Sequence, residues 1–355
     1  MELLKDLLAA LSVVLNGLPQ GLLALSFGFA SVPTAFAFIV GAVGCLALGV
    51  VAPVSFQAET ITLAGTMGKN MKERTSMVIV AAIGMTLIGL FGLLERIVTF
   101  IGPAITNGMM AGVGIMLANV ALGMAKKNKV IGFFSIAVSF VVYMFTTDLV
   151  YTVTISVVGS SILALVLKQK TDIKIAEREK LVFQKPIINA GVVQGALALM
   201  CLNIGANIAF GEITGTIANT EVNIDHLTIV SSLADLASAF FGGGPVESII
   251  SATGGAPNPL RSAVLMMAIM AAILFVGLLP KIGNYVPSES IAGFLFVLGA
   301  VVTAPSSAMT ALTVTGIPGG AMVGGITMAV TSISDPFYGM LAGVVFRAVA
   351  GLVGM

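Results

Sequence analysis

The chain is a succession of apolar runs, most close to the length that crosses a bilayer, and the breaks between them are too short to hold a soluble domain. They fall at about 7–30, 33–51, 53–67, 75–95, 103–124, 130–147 and 149–168. After the charged stretch KQKTDIKIAEREKLVFQKP they resume at 187–210, 226–241, 245–254, 261–279, 287–305, 309–330 and 336–354. Inside lipid every backbone N–H and C=O must be bonded within the chain, so such runs predict helices. The expected fold is an all-α polytopic membrane protein of 14 segments, seven in each half, located in a cell membrane in contact with the lipid bilayer. Hydrophobic residues make up 57% of the 355 and charged ones only 9%, far from the balance of a soluble domain.

Composition also removes several classes of chemistry. A net charge of +1 offers no basic surface for nucleic acid. Cys45, Cys201 and the single His226 cannot supply a usual metal-ligand set, so no metal site and no cofactor are expected. Ser-His, Cys-His and His-Glu-His constellations on facing helices are missing, which argues against an enzyme. The opening MELLKDLLAALSVVLNG carries acids and no small-residue cleavage pattern, and is read as the start of the first membrane helix. KIAEREK, between the halves, reads as a solvated helix with Glu and Lys at supportive spacings.

The two halves can be laid on one another. APVSFQAE faces GPVESIIS, RTSMVIVAA with Arg74 faces RSAVLMMAI with Arg261, and GLLERIVTFIGPAITNGMMAGVGIML faces GLLPKIGNYVPSESIAGFLFVLGAVV. Pro103 then pairs with Pro287, Gly108 with Gly293 and Gly114 with Gly299, at a nearly constant separation that chance apolar similarity would not hold. An odd number of spans per repeat places the halves in opposite orientations, an inverted repeat typical of carriers. The expected division is 1–170 for the first repeat, 171–186 for a charged linker and 187–355 for the second.

The third segment of each half is short and opens on a proline, which predicts two half-helices, segments 3 and 10, preceded by extended backbone. Non-helical backbone at membrane depth is tolerated only where it is buried in protein or lines a wet cavity, so the two should meet and define a site. A helix starting near Ser55 and another starting at Val246 or Glu247 would aim their N–H groups at the midplane from opposite sides, with Glu59 and Glu247 in their first turns. An ionised carboxylate there costs about 3 kcal/mol or more. A proton, a bound cation or a hydrogen-bonding substrate would offset it; simple capping by Glu247 and backbone bonding by Glu59 are the structural alternatives. Gly242, Gly243 and Gly244 read as a close backbone approach, because no Lys-Ser/Thr follows as a phosphate loop requires. Asp235 reads as a tie to the backbone around the broken segment.

QGLLALSFGFASVP, SLADLASAFFGGGPVESIISATGG and FIGPAITNGMMAGVGIMLANVAL, in that order, resemble the first, ninth-to-tenth and fifth segments of the xanthine/uracil permeases. This is the nucleobase-ascorbate transporter family, with its adenine/guanine/hypoxanthine permease relatives. The resemblance runs along most of the chain. It implies a uracil permease-like fold with a moving core of segments 1–4 and 8–11 and a gate of segments 5–7 and 12–14. It implies substrate between segments 3 and 10, at Glu247 and Ser248 in the tenth, Phe56 and Gln57 in the third, and Gln20 in the first. It also implies a possible homodimer.

Two positions depart from the family's pattern: its first-helix histidine is Gly21 here, and its eighth-segment acid is Leu202. Asn203 and Asn207, one turn apart on one helix face, either supply amide hydrogen bonds to substrate or ion or bind helices together. Glu59 is the candidate for coupling, with Asn207, because a buried carboxylate can load and release a proton. The expected function is proton- or sodium-coupled symport of a nucleobase-like solute. Anion carriers of the same fold, for sulfate or bicarbonate, are the alternative, disfavoured by two acids at the helix starts; a cation carrier is another.

Most of the 17 Lys and Arg residues lie in the loops after segments 3, 5, 7 and 11, which places those loops in the cytoplasm and both termini outside. The resemblance implies the reverse. On the charge argument, a cysteine introduced at Asn128 is expected to react with a membrane-impermeant maleimide only from the cytoplasmic side, and one at the C-terminal end only from outside. The opposite labelling would overturn that orientation.

Overall fold

A computed structural model describes residues 1–169 and 181–354, and the chain is a multi-pass integral membrane protein. Among the described residues nine helices are long and apolar enough to cross a membrane, with shorter apolar helices at Pro259–Phe275 and Gly320–Ile333. The first repeat comprises α1 (Glu2–Phe27), α2 (Ser31–Leu48), β1 (Val54–Ser55), α3 (Ala58–Met67), α4 (Met71–Leu90), α5 (Leu94–Ile101), α6 (Pro103–Lys127), α7 (Lys129–Thr146) and α8 (Leu149–Val166). The second comprises α9 (Ala190–Ile217), α10 (Ile224–Ala239), β2 (Glu247–Ser248), a 3₁₀ turn (Ala252–Gly255), α11 (Pro259–Phe275) and α12 (Leu278–Gly283). It ends with α13 (Ala292–Phe296), π-helical turns (Val297–Thr303), α14 (Ala304–Thr313), α15 (Gly320–Ile333) and α16 (Pro336–Val353). Most of the linker expected at 171–186, with its KIAEREK helix, lies outside the described residues.

Matching segments run in opposite directions, as an inverted repeat requires. The start of α1 and the end of α16 share one side, here the terminal face; the end of α8 and the start of α9 share the other, the linker face. α1–α4 pack with α9–α11 in one bundle, and α6–α8 with α13–α16 in a second. Residues paired by the repeat do matching work. Arg261 Nε donates to Asp6 Oδ2 over 2.6 Å at the start of α11, while Arg74 near the start of α4 donates to the Gly68 carbonyl over 3.0 Å and to that of Phe27. Gly114 and Gly299 meet face to face: a Cβ on Gly299 would sit 2.5 Å from the Gly114 carbonyl oxygen. Small residues at such crossings let membrane helices approach closely.

Four features differ from the sequence expectation. Segment 10 does not form a half-helix from Val246: Glu247 and Ser248 are extended, and only one 3₁₀ turn follows. Gly242–Gly244 and Pro245 deliver an extended chain, and Asn258 at the cap of α11 with Pro259 at its first position begins a new helix almost at once. Segment 12 runs on to Thr313 instead of ending near 305, because the π-helical turns before Ala304 shift the hydrogen-bond register and the helix continues through Pro305. The break comes at Gly316–Gly320, so segment 13 is 320–333 and not 309–330. Short helices α5 and α12, hidden in the sequence as ends of longer runs, lie at repeat-related positions.

The three glycines are explained by crowding. The Ala30 N–H donates to the Gly242 carbonyl over 2.9 Å, Gly244 N–H donates to Thr34 Oγ1 over 2.8 Å, and Ser238 Oγ donates to the Gly244 carbonyl over 2.6 Å. A Cβ on Gly243 would stand 2.2 Å from Ser238 Oγ and 2.7 Å from the Thr34 backbone nitrogen. Gly243→Ala is therefore expected to lower stability by about 1–3 kcal/mol, the usual cost of overpacking, read as a lower melting temperature in detergent. An unchanged melting temperature would refute the packing argument.

Candidate functional site

Pro53 and Pro245 each lead an extended pair of residues into the interior of the first bundle, and there the two pairs bond to each other. β1 and β2 are antiparallel, with Val54 opposite Ser248 and Ser55 opposite Glu247, and the Ile249 N–H donates to the Pro53 carbonyl over 3.2 Å. Part of the backbone of both interrupted segments is thereby paired within the chain. α3 starts three residues later, and its Gln57 cap position makes no side-chain cap bond. Gln20, reaching across from α1, accepts the Ala58 N–H over 2.8 Å in its place. Glu59 sits in the first turn of α3, 4% exposed, with Oε2 lacking a hydrogen-bond partner.

A cavity of about 350 Å³ opens beside this start, in the seam between the two bundles. Ser55, Phe56, Gln57 and Glu59 line it with Asn16 and Gln20 of α1, facing Asn107 of α6 and Thr303, Ser306 and Ser307 of the second bundle. Gln20, Phe56 and Phe294 form its deep end; Asn107, Leu149, Ile213 and Ser307 lie toward the terminal-face ends of their helices, so it opens to that face. Glu59 is the charged residue in the lining, and among the described residues neither Lys nor Arg takes part. Phe56 is 1% exposed and packs edge-on to Phe38 with ring centroids 5.3 Å apart. A Cβ on Gly21 would lie 2.8 Å from the Phe56 ring, so this chain has no room for a first-helix histidine beside that phenylalanine.

The remaining expected site residues gather behind the strand pair. Glu247 is fully buried; Oε1 accepts the Ser248 N–H over 3.4 Å, and Oε2 has no hydrogen-bond partner. Ser248 Oγ donates to Asn207 Oδ1 over 2.6 Å, and Asn207 Nδ2 reaches Thr228 Oγ1 at 3.5 Å. Asn203 Oδ1 is buried without a partner. Asp235 accepts the Val246 N–H over 2.7 Å and fixes the turn before β2. Opposed residues of an antiparallel pair project to one face, so Ser55, whose buried Oγ has no partner, connects Glu247 to the cavity. The structure thus brings Gln20, Phe56, Gln57 and Glu59 together in an open cavity and sets Glu247, Ser248, Asn203 and Asn207 in a closed polar group behind it. Because Glu247 is on a strand and not in a helical turn, no helix dipole bears on it, contrary to the sequence expectation. Among the described residues no group of three or more His, Cys, Asp and Glu is placed to hold a metal.

Asn16, Asn107, Thr303, Ser306 and Ser307 were not singled out in the sequence. Each is a single polar residue in an apolar helix, and nothing local separates a cavity-lining hydroxyl or amide from one that bonds its own helix backbone, as Ser306 also does to Val302 over 2.7 Å.

No protein-family model matches the chain, and no curated protein does. Solved structures match its fold along nearly its whole length. The transmembrane domain of a cyanobacterium bicarbonate transporter, BicA, matches with a TM-score of 0.69 at 16% identity, over 99% of this chain and 98% of that one. SLC26A9 matches with a TM-score of 0.72 at 14% identity, over 99% of this chain and 66% of that one. The murine SLC26A9 anion transporter in an inward-facing state matches with a TM-score of 0.69 at 13% identity, over 99% and 68%. The fold is therefore that of a transporter's transmembrane domain.

Ser248→Ala should leave Asn207 Oδ1 buried without its donor and lower stability by about 1–3 kcal/mol. A melting temperature equal to wild type would mean that the Ser248–Asn207 bond contributes nothing.

Proposed function

We propose that the protein is a secondary transporter that works by alternating access, moving a small polar solute together with a proton or a sodium ion. One observation carries this: a cavity in the seam between two bundles, lined toward the terminal face, with a buried carboxylate at the tip of a broken segment, one of whose oxygens lacks a partner. An ionised Glu59 in so dry a position calls for a compensating positive charge, and a carboxylate that must be neutralised before the seam can close couples ion and solute. The first bundle, bearing the strand pair and α3, acts as the moving core, and the second as the gate. The lipid bilayer holds the gate, and a homodimer fits this arrangement.

For the solute, the lining supports a nucleobase-like ring, whereas the likeness to solved structures supports a small anion better. The cavity volume is in the range of small-molecule sites, with apolar walls and a few amides and hydroxyls that can pair with ring N–H and C=O groups. Gln57, Glu59 and Gln20 would meet the solute, with Phe56 forming the floor. Glu247, Ser248, Asn203 and Asn207 would act from behind the strand pair, reaching solute or ion through Ser55. A small anion is the second reading, favoured by the fold's likeness to a bicarbonate transporter and an anion transporter. An anion at the α3 N-terminus would face the Glu59 charge, and the Ala58 N–H is already taken by Gln20. That reading therefore also needs a proton or cation on Glu59.

Uptake into proteoliposomes distinguishes the two. Labelled uracil, xanthine and hypoxanthine are compared with bicarbonate, sulfate and chloride, each under an inward proton or sodium gradient. Gradient-driven accumulation of a nucleobase is expected, lost in Glu59→Gln and in Glu247→Gln while both variants stay folded. Accumulation of oxyanions alone would replace the nucleobase reading with the anion one. Wild-type transport by Glu247→Gln would remove that residue from the site, and gradient-independent transport by the unaltered protein would end the coupling proposal.

A further inference from the structure

The cavity opens to the terminal face, so whatever holds the two bundles together at the linker face determines how readily they exchange states. Two side chains meet there. Asp335 caps α16 in the second bundle, with Oδ1 accepting the Tyr338 N–H over 3.0 Å, and it is fully buried. Its other oxygen, Oδ2, accepts a hydrogen bond of 2.8 Å from Gln194 Nε2, in the second turn of α9 in the first bundle. Asp335 is fixed to the second bundle by its capping role, so the bond joins a stationary acceptor to a donor that travels with the other bundle.

The geometry points to the Gln194–Asp335 hydrogen bond as a latch that holds the linker face shut and favours the state open to the terminal face. The inference rests on the proposed alternating-access transport. Opening the linker face moves the start of α9 away from the start of α16, which breaks this bond and leaves a carboxylate oxygen to be rewetted. A neutral amide on a carboxylate suits a contact that must break and re-form, because it biases the equilibrium without the penalty of separating a buried ion pair on every cycle.

The test reads the conformational equilibrium directly. Spin labels on cysteines at Glu221, in the α9–α10 loop, and Thr310, on α14, span the seam at the terminal face. They are placed in full-length protein carrying Cys201→Ser and reconstituted in nanodiscs, and pulsed electron resonance gives the populations of long and short distances. Gln194→Leu removes the donor without touching the α16 cap and is expected to shift the ratio toward the short distance by about fivefold or more, the effect of one lost hydrogen bond. Gln194→Glu, which puts a second carboxylate beside Asp335, should shift it further. Monodispersity and melting are checked on both variants, so a folding defect in one leaves the other to decide. Distance populations unchanged in both would overturn the latch, and uptake that persists in that case would leave the transport reading standing. Populations that shift in a protein moving no solute would uphold the latch and remove the transport reading.

Discussion

Two short stretches of extended backbone lie inside a membrane protein and hydrogen-bond to each other. Val54–Ser55 and Glu247–Ser248 hydrogen-bond as a two-residue antiparallel ladder because lipid offers no partner for a stray N–H or C=O, and the rest of the architecture follows from keeping that ladder buried. Pro53 and Pro245 deliver the strands, three glycines let the second pass between α2 and α10, and Asp235 ties its turn. The inverted repeat supplies the symmetry that makes the strands antiparallel, so one ladder serves both halves.

The ladder also divides the polar residues of the interior into two groups with different access. Glu59 lines the cavity at a helix start whose first N–H is already capped by Gln20; Glu247 lies outside the lining, with its opposed partner Ser55 between it and the cavity. Each carboxylate has one oxygen without a protein partner. In a chain with so few charges, such groups impose a condition on the proposed transport cycle: a positive charge would have to arrive before the seam could close dry, whether the accompanying solute were a neutral ring or an anion.

The two membrane faces differ in charge as well. A groove on the terminal face, about 1080 Å³, is lined by Glu95, Glu212, Glu221 and Asp225, whereas Lys69, Lys72, Lys126, Lys127 and Lys129 mark the linker face. Acids around the side to which the cavity opens draw cations toward it and hold free anions away, an effect that fades with added salt.

Hydropathy and self-similarity determined the number of segments, the opposite orientation of the halves, the two interrupted segments and the acids within them, because bilayer thickness imposes a length and backbone satisfaction imposes helices wherever the chain is apolar. Gly114 and Gly299, matched in the sequence, do touch in the fold. Tertiary structure alone decided that segment 10 would be a strand and a single turn, since its partner is β1, nearly two hundred residues away. It alone decided that Glu59 lines the cavity while Glu247 does not, that Phe56 fills the space left by Gly21, and that Ser306 and Ser307 face the same cavity as Gln20. Those outcomes depend on which surfaces meet across the seam, and no local pattern of residues along one helix carries that information.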